Sequence, residues 1–351
     1  MQYSTLEIAA FATVLMPHAS FDAVQKVRSA TSAAEIVLVK DDGTRLLATL
    51  AKKDSADASK LLRDTENLRE LNKHIRENIL AFSIPKVIVS GELGDVIMTI
   101  YTCPLGKAIR FVDLSDIQAR SIGTAIASLH SFDTSLLSEL MLDRIDAQQV
   151  RRQAITELDE MNTTGLLSEY LYKHFMDSLE ETDMFKFTTL LSHNALRDSA
   201  VLFNGDAVNY VVNFSRLCVQ DPATDLASVS GYLFQDYKTE LFEAYRKARN
   251  VEDIYLEKRT KFYEEFNLVR WFLNRYRSGN QDQISTGVQA LAGLEDNIQR
   301  LKEYEKGSRL HQFSILQDML PTIKIDSADA SALSDIETQA VDAEAVANRG
   351  S

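Results

Sequence analysis

The residues most able to do chemistry crowd into one stretch, Leu190–Ala227, which reads LLSHNALRDSAVLFNGDAVNYVVNFSRLCVQDPATDLA. It holds an imidazole, His193, and the carboxylates Asp198, Asp206, Asp221 and Asp225, with the amide of Asn213 among them. An imidazole or carboxylate can take a proton from a reacting hydroxyl. Carboxylate and amide oxygens can also ligate a divalent cation. The stretch also carries its own architecture. Two short apolar runs, Val201–Phe203 and Tyr210–Val212, flank Asn204-Gly205-Asp206, a hairpin signal.

The elements around this stretch divide the chain. Upstream, Ala34–Lys40 and Arg45–Ala51 are apolar runs joined by Asp42-Gly43, a second hairpin signal. Ser55–Ile79 has leucines at 61, 62, 68 and 71 between charges, which is helical spacing. Pro85 opens a strand at Val87–Ser90; Gly91–Asp95 reads as a turn and Val96–Tyr101 as the next strand. After Pro104-Leu105-Gly106 the periodicity becomes helical, over Leu114–His130, Asp146–Met161, Leu167–Leu179, Ala223–Leu233, Asp236–Arg249, Asp253–Tyr276 and Ile284–Tyr304. The expected organisation is a β-rich lobe over residues 1–102 and a helical lobe over 103–320 with an inserted hairpin, an α+β arrangement. Residues 321–351 contain no aromatic side chain and are rich in Ala, Ser and acidic groups, the composition of a disordered acidic tail. Within it Ile336–Val346 has some helical potential.

The catalytic stretch resembles that of the aminoglycoside and macrolide phosphotransferases. Their pattern runs His-Gly-Asp-Leu-x-x-x-Asn, a hairpin, an apolar-Asp-Trp/Phe motif, then Asp-Pro-Ala-x-Asp-Leu-Ala. Here His193, Leu196, Val201-Leu202, Asn204-Gly205, Phe214 and Asp221-Pro222-Ala223-Thr224-Asp225-Leu226-Ala227 fall in register with it. Ile122-Gly123-x-x-Ile126-Ala127-x-Leu129-His130 is similar to the family's first large-lobe helix. Tyr101–Lys107 is similar to its inter-lobe hinge, and Arg270-Trp271-Phe272-Leu273 to its C-terminal helices. The resemblance spans roughly residues 5–305. It implies a bilobal, protein-kinase-like fold, and ATP with magnesium as cofactors if the chain is active.

The same resemblance implies that the chemistry is damaged. Its base position falls on Ala195, and a methyl group accepts no proton; loss of a general base costs about 10²–10⁴ in rate. Its magnesium-binding Asn position falls on Ala200, which offers no oxygen, and the second metal position on Asn213, which brings no charge. The phosphate-binding cation of the third small-lobe strand falls on Thr49. Lys53 is on the same strand face but about 13 Å further along. Tyr101 and Cys103 are the expected nucleotide contacts at the hinge. Asp198 is the one carboxylate placed to replace the base, although a turn Asp is its plainer reading. His193 is expected to orient the loop, Asp225 to bond back to it, and His130 to act as a helix-terminal cation or packing residue.

Other classes are disfavoured. There is neither a Walker A run nor G-x-G-x-x-G. The formal net charge of −13 argues against gripping nucleic-acid phosphates. Arg270, Arg275 and Arg277 beside Trp271 read as a solvated basic helix side. The two cysteines, Cys103 and Cys218, have no metal or disulfide spacing. No apolar run reaches the roughly 18 residues of a membrane span. Residues 1–20 read as an amphipathic helix and not a leader, which makes the cytoplasm the expected location. The expectation is therefore a pseudokinase, without bound cofactor, that binds an unidentified protein or small molecule. The alternatives are an active phosphotransferase with a displaced base, and a small-molecule sensor that retains the cleft.

Overall fold

The computed structural model describes residues 4–29, 33–75, 80–250, 252–279 and 281–307. The expected tail at 321–351, with its Ile336–Val346 segment, lies outside them.

Helix α1 (Thr5–Leu15) opens the chain, capped by Ser4 and Glu7 in a reciprocal capping box. Strands β1 (Phe21–Ser29), β2 (Ala33–Lys40) and β3 (Arg45–Lys52) follow, then α2 (Ala56–His74), β4 (Val87–Leu93) and β5 (Val96–Thr102). The five strands form one antiparallel sheet in the order β1-β2-β3-β5-β4. The β2–β3 turn uses Gly43 at φ 78°, a conformation that favours glycine. Alternation then sorts the faces. Ile36, Leu38, Leu46, Ala48, Leu50, Met98 and Ile100 pack under Ile8 and Ala12 of α1. The other face presents Ala51, Ile97 and Tyr101 to Leu61, Leu68 and Leu71 of α2. Glu35, Thr49 and Thr99 lie on this second face, opposite one another across β2, β3 and β5.

The chain then enters its helical part: β6 (Lys107–Ala108), α3 (Asp116–His130), α4 (Ala147–Thr163), α5 (Glu169–Glu180), β7 (Leu190–Ser192), β8 (Val201–Asn204), β9 (Ala207–Val211), β10 (Cys218–Gln220), α6 (Ala223–Ser230), α7 (Gln235–Arg249), α8 (Leu256–Ser278) and α9 (Gln281–Gly307). The Asn204-Gly205-Asp206 hairpin forms between β8 and β9. Helices α3 and α7 cross closely because Gly123 has no side chain: a Cβ there would lie 2.3 Å from the Leu241 carbonyl oxygen.

Several expectations are corrected. Strand β1 has no counterpart in the sequence reading, and the turn expected over Gly91–Asp95 is shorter, because β4 runs on to Leu93. The arginines beside Trp271 are not a free basic side. Arg270 pairs with Glu157 at 2.7 Å and Arg277 with Glu160 at 2.6 Å, both across to α4, while Arg275 lies over the Trp271 ring at 5.4 Å. Among the described residues no helix is long and apolar enough to cross a membrane.

Candidate active site

Helix α6 positions the loop that follows β7. Antiparallel pairing of β7 with β10 sets Ser192 opposite Cys218, so the loop leaves the pair at His193. Asp225, buried in the first turn of α6, accepts the His193 N–H at 2.7 Å and the Asn194 N–H at 2.8 Å. Burial alone would raise its pKa. The His130 side chain, then His193 and the Asn194 N–H outweigh burial and hold it below the ordinary carboxylate value. Asp225 thus bonds back to the loop. His130 ends α3 and is buried against Tyr245, the packing alternative of the expectation. Its Nε2 is 3.2 Å from Asp225 and its Nδ1 2.9 Å from the Tyr245 hydroxyl. Hydrogen-bond logic makes Nε2 the donor to the carboxylate and Nδ1 the acceptor.

His193 is fully buried, and burial lowers its pKa. Its Nε2–H donates to the Val212 carbonyl at 3.0 Å, and its ring meets Phe214 edge-on at 4.8 Å. The neutral ring ties the loop to the end of β9. Asn194 follows at φ 56° and Asn213 stands at φ 69°; asparagine tolerates this left-handed region better than most residues. Ala195 is half-buried and Ala200 buried. The main chain of Ala200 still closes the loop, since its carbonyl accepts the Val212 N–H at 3.0 Å.

Asp198 is half-buried. It begins a short 3₁₀ turn, Asp198–Ala200, and its Oδ1 accepts the Phe111 N–H at 3.1 Å. Burial raises its pKa. Asn213 directs its amide oxygen to the Ser215 hydroxyl at 3.0 Å. A methyl at 200 and an engaged neutral amide at 213 do not fit a divalent cation, which takes carboxylate oxygens. Among the described residues no group of three or more His, Cys, Asp or Glu side chains is arranged to hold a metal.

The small lobe supplies a group that the sequence reading missed. Asp64 of α2 accepts the Phe214 N–H at 2.5 Å, and Asn67 donates to the Phe214 carbonyl at 2.7 Å. Tyr101, buried on β5, reaches Asp64 at 3.4 Å and Thr65 at 3.2 Å. Burial raises the Tyr101 pKa, with the Asp64 charge second. Asp64 itself is pushed up to about 7, chiefly by burial, with Glu35 adding to the rise. The signal lay in the periodicity: 61, 64, 65 and 68 share one helix face, so a polar pair interrupts the leucine stripe.

The structure therefore brings His193, Asn213, Asp225 and, through Asp64, Tyr101 into one connected region. It does not bring in Lys53, which lies beyond the end of β3 and pairs with Glu92 at 2.6 Å. Cys103 sits past β5 with its sulfur 3.8 Å from the Pro104 carbonyl, its thiol pKa raised by burial. Asp221 has a different task. Just before α6, it accepts the Ala223 N–H at 2.9 Å and pairs with the buried Arg259 at 2.9 Å. Burial opposes the Arg259 charge, but Asp221 and Asp253 more than offset it.

Lobes, loop and hairpin together define a kinase-like phosphotransferase fold. A sequence model of the phosphotransferase enzyme family matches residues 24–263, and the chain belongs to that family. Solved structures agree on the fold. Macrolide 2'-phosphotransferase MphH from Brachybacterium faecium, an apoenzyme, superposes with TM-score 0.68 at 16% identity, covering 81% of this chain and 97% of that one. The GDP complex of aminoglycoside 2'-phosphotransferase-IIIa gives 0.67 at 15% identity, over 84% and 99%. The streptomycin–ATP–APH(2")-IIa ternary complex gives 0.58 at 18% identity, over 83% and 97%. No curated protein matches the chain.

Proposed function

We propose that this member of the phosphotransferase family has lost phosphoryl-transfer chemistry and acts as a binding or regulatory module. The observation that carries the reading is the set Ala195, Ala200 and Asn213 at the positions where the family pattern wants a base and two metal ligands. Around them the supporting frame is intact: Asp225 holds the loop, His193 ties it to Val212, and both asparagines keep the left-handed turns. A frame kept without its reactive groups fits a protein that uses the shape of the site rather than its chemistry. Thr49 extends the pattern, since it offers no charge to a nucleotide phosphate, and Glu35 faces it across the sheet.

The competing reading, an active enzyme with Asp198 as base, is disfavoured by one contact. Asp198 spends an oxygen on the Phe111 N–H, which ties it to the segment before α3. The third reading, a sensor that keeps a small-molecule cleft, shares the absence of turnover and differs only in its ligand. Neighbours solved with streptomycin or GDP make small molecules the first class to screen.

Thermal unfolding with ATP, with and without magnesium, tests the proposal. A ligand at about 100 times its Kd stabilises by about 2.7 kcal/mol. That is a rise of about 5 °C, at about 2 °C per kcal/mol for a chain of this size. The expected result is no magnesium-dependent rise; a magnesium-dependent rise of that size refutes the loss of the metal site.

A further inference from the structure

Asp64 and Asn67 grip both polar groups of a single residue, Phe214, which follows Asn213 directly. The grip joins the small-lobe helix α2 to the large-lobe segment after β9. It has a backing. Tyr101 reaches both Asp64 and Thr65, Thr65 meets Thr99 at 3.1 Å, and Thr99 meets Ser90 at 2.8 Å. This run of hydroxyls leads from β4 across β5 to α2 and ends at the Phe214 peptide.

In kinase-like enzymes the strand cation pairs with the carboxylate of the small-lobe helix, and this pair must be in place for phosphate chemistry. Here the strand position is Thr49, between Glu35 and Thr99. Asp64 has no ammonium to meet at Thr49 and takes the Phe214 N–H instead. The groups facing Asp64 are Glu35 from β2, Tyr101 from β5 and the Phe214 amide. Burial and the Glu35 charge let the carboxyl take up a proton near neutrality, and a carboxyl oxygen accepts an N–H in either state.

We propose that this clamp, in place of a bound nucleotide, fixes how the two lobes meet, so that the surface around the cleft is presented in one geometry whether or not a ligand is present. The proposal rests on the binding-module reading and adds how that module is held. Opening the cleft breaks a hydrogen bond to a carboxylate, which disfavours the open form by about 10- to 100-fold, and a second, neutral bond adds to it.

Amide hydrogen exchange on the ligand-free chain at pH 7.5 tests the clamp, together with small-angle scattering. Asp64→Ala and Asn67→Ala are expected to speed exchange at Phe214 by about 10-fold or more and to enlarge the scattering radius. Asp64→Asn keeps the acceptor and is expected to exchange no faster than the wild type. Exchange in β7 and β10 is expected to stay unchanged in all three. If Asp64→Ala does not fold, Asn67→Ala and Asp64→Asn carry the test. Unchanged exchange at Phe214 in the alanine variants overturns the clamp. So does an equal rise in β7 and β10, which marks general loosening. Adding ATP with magnesium to the wild type separates the two claims. Magnesium-dependent binding without a change in scattering overturns the module reading and leaves the clamp standing; a contraction on binding overturns the clamp.

Discussion

Replacing Asp64 by Asn should stabilise this protein at pH 8, although it alters a residue that bridges the lobes. The reason is the pKa of about 7 for a carboxyl whose ordinary value is 3.8. A group raised in this way binds its proton more tightly in the folded state than in the unfolded chain. Stability therefore rises as pH falls from about 7 towards 4, and the benefit is absent above 7, where both states are ionised. The shift is about 3 units at about 1.36 kcal/mol each, a ceiling of about 4 kcal/mol. Asparagine has the shape of the neutral acid and keeps an oxygen for the Phe214 N–H. Its advantage is largest above pH 7 and shrinks to nothing near pH 4. At about 2 °C per kcal/mol the melting temperature should rise by up to about 8 °C at pH 8. Urea and thermal unfolding of both proteins between pH 4.5 and 8.5 provide the assay. A difference independent of pH, or a variant less stable throughout, would falsify the assignment of a carboxyl with a raised pKa at position 64.

Other perturbations follow from the same contacts. Asp221→Ala removes the acceptor shared by the Arg259 guanidinium, the Tyr263 hydroxyl and the Ala223 N–H, and should cost about 3–5 kcal/mol in chemical denaturation. Gly123→Ala forces α3 away from the Leu241 carbonyl and should cost about 1–3 kcal/mol, read as a lower urea midpoint. Asp225→Ala removes the acceptor for two loop amides and should speed hydrogen exchange at His193 and Asn194 well before that in α8.

Much of the fold was legible because periodicity and turn chemistry are local. The Asp42-Gly43 and Asn204-Gly205 hairpins, and the long helices of the second lobe, follow from sequence neighbours alone. Strand β1 was not legible: FDAVQKVRS alternates weakly and carries charges. Short β6, β7 and β10 have only two or three residues each, and tertiary pairing makes them strands. The loop motif was legible as a pattern, and so was the bond-back of Asp225. The partners were not. Asp64 and Phe214 are 150 residues apart, and His130 and Asp225 are 95 apart. Sequence spacing carries no information at such separations. The same holds for Lys53: that β3 stops at Lys52 and that Glu92 pairs with Lys53 beyond it was not readable.

The central claim concerns Ala195, Ala200 and Asn213, and calorimetric titration of ATP with magnesium tests it most directly. The wild type is to be compared with the triple variant Ala195→Asp, Ala200→Asn and Asn213→Asp. The account predicts that magnesium adds nothing to any ATP affinity of the wild type, whereas the triple variant gains a magnesium-dependent component. Magnesium-dependent binding by the wild type, equal to that of the triple variant, would contradict it.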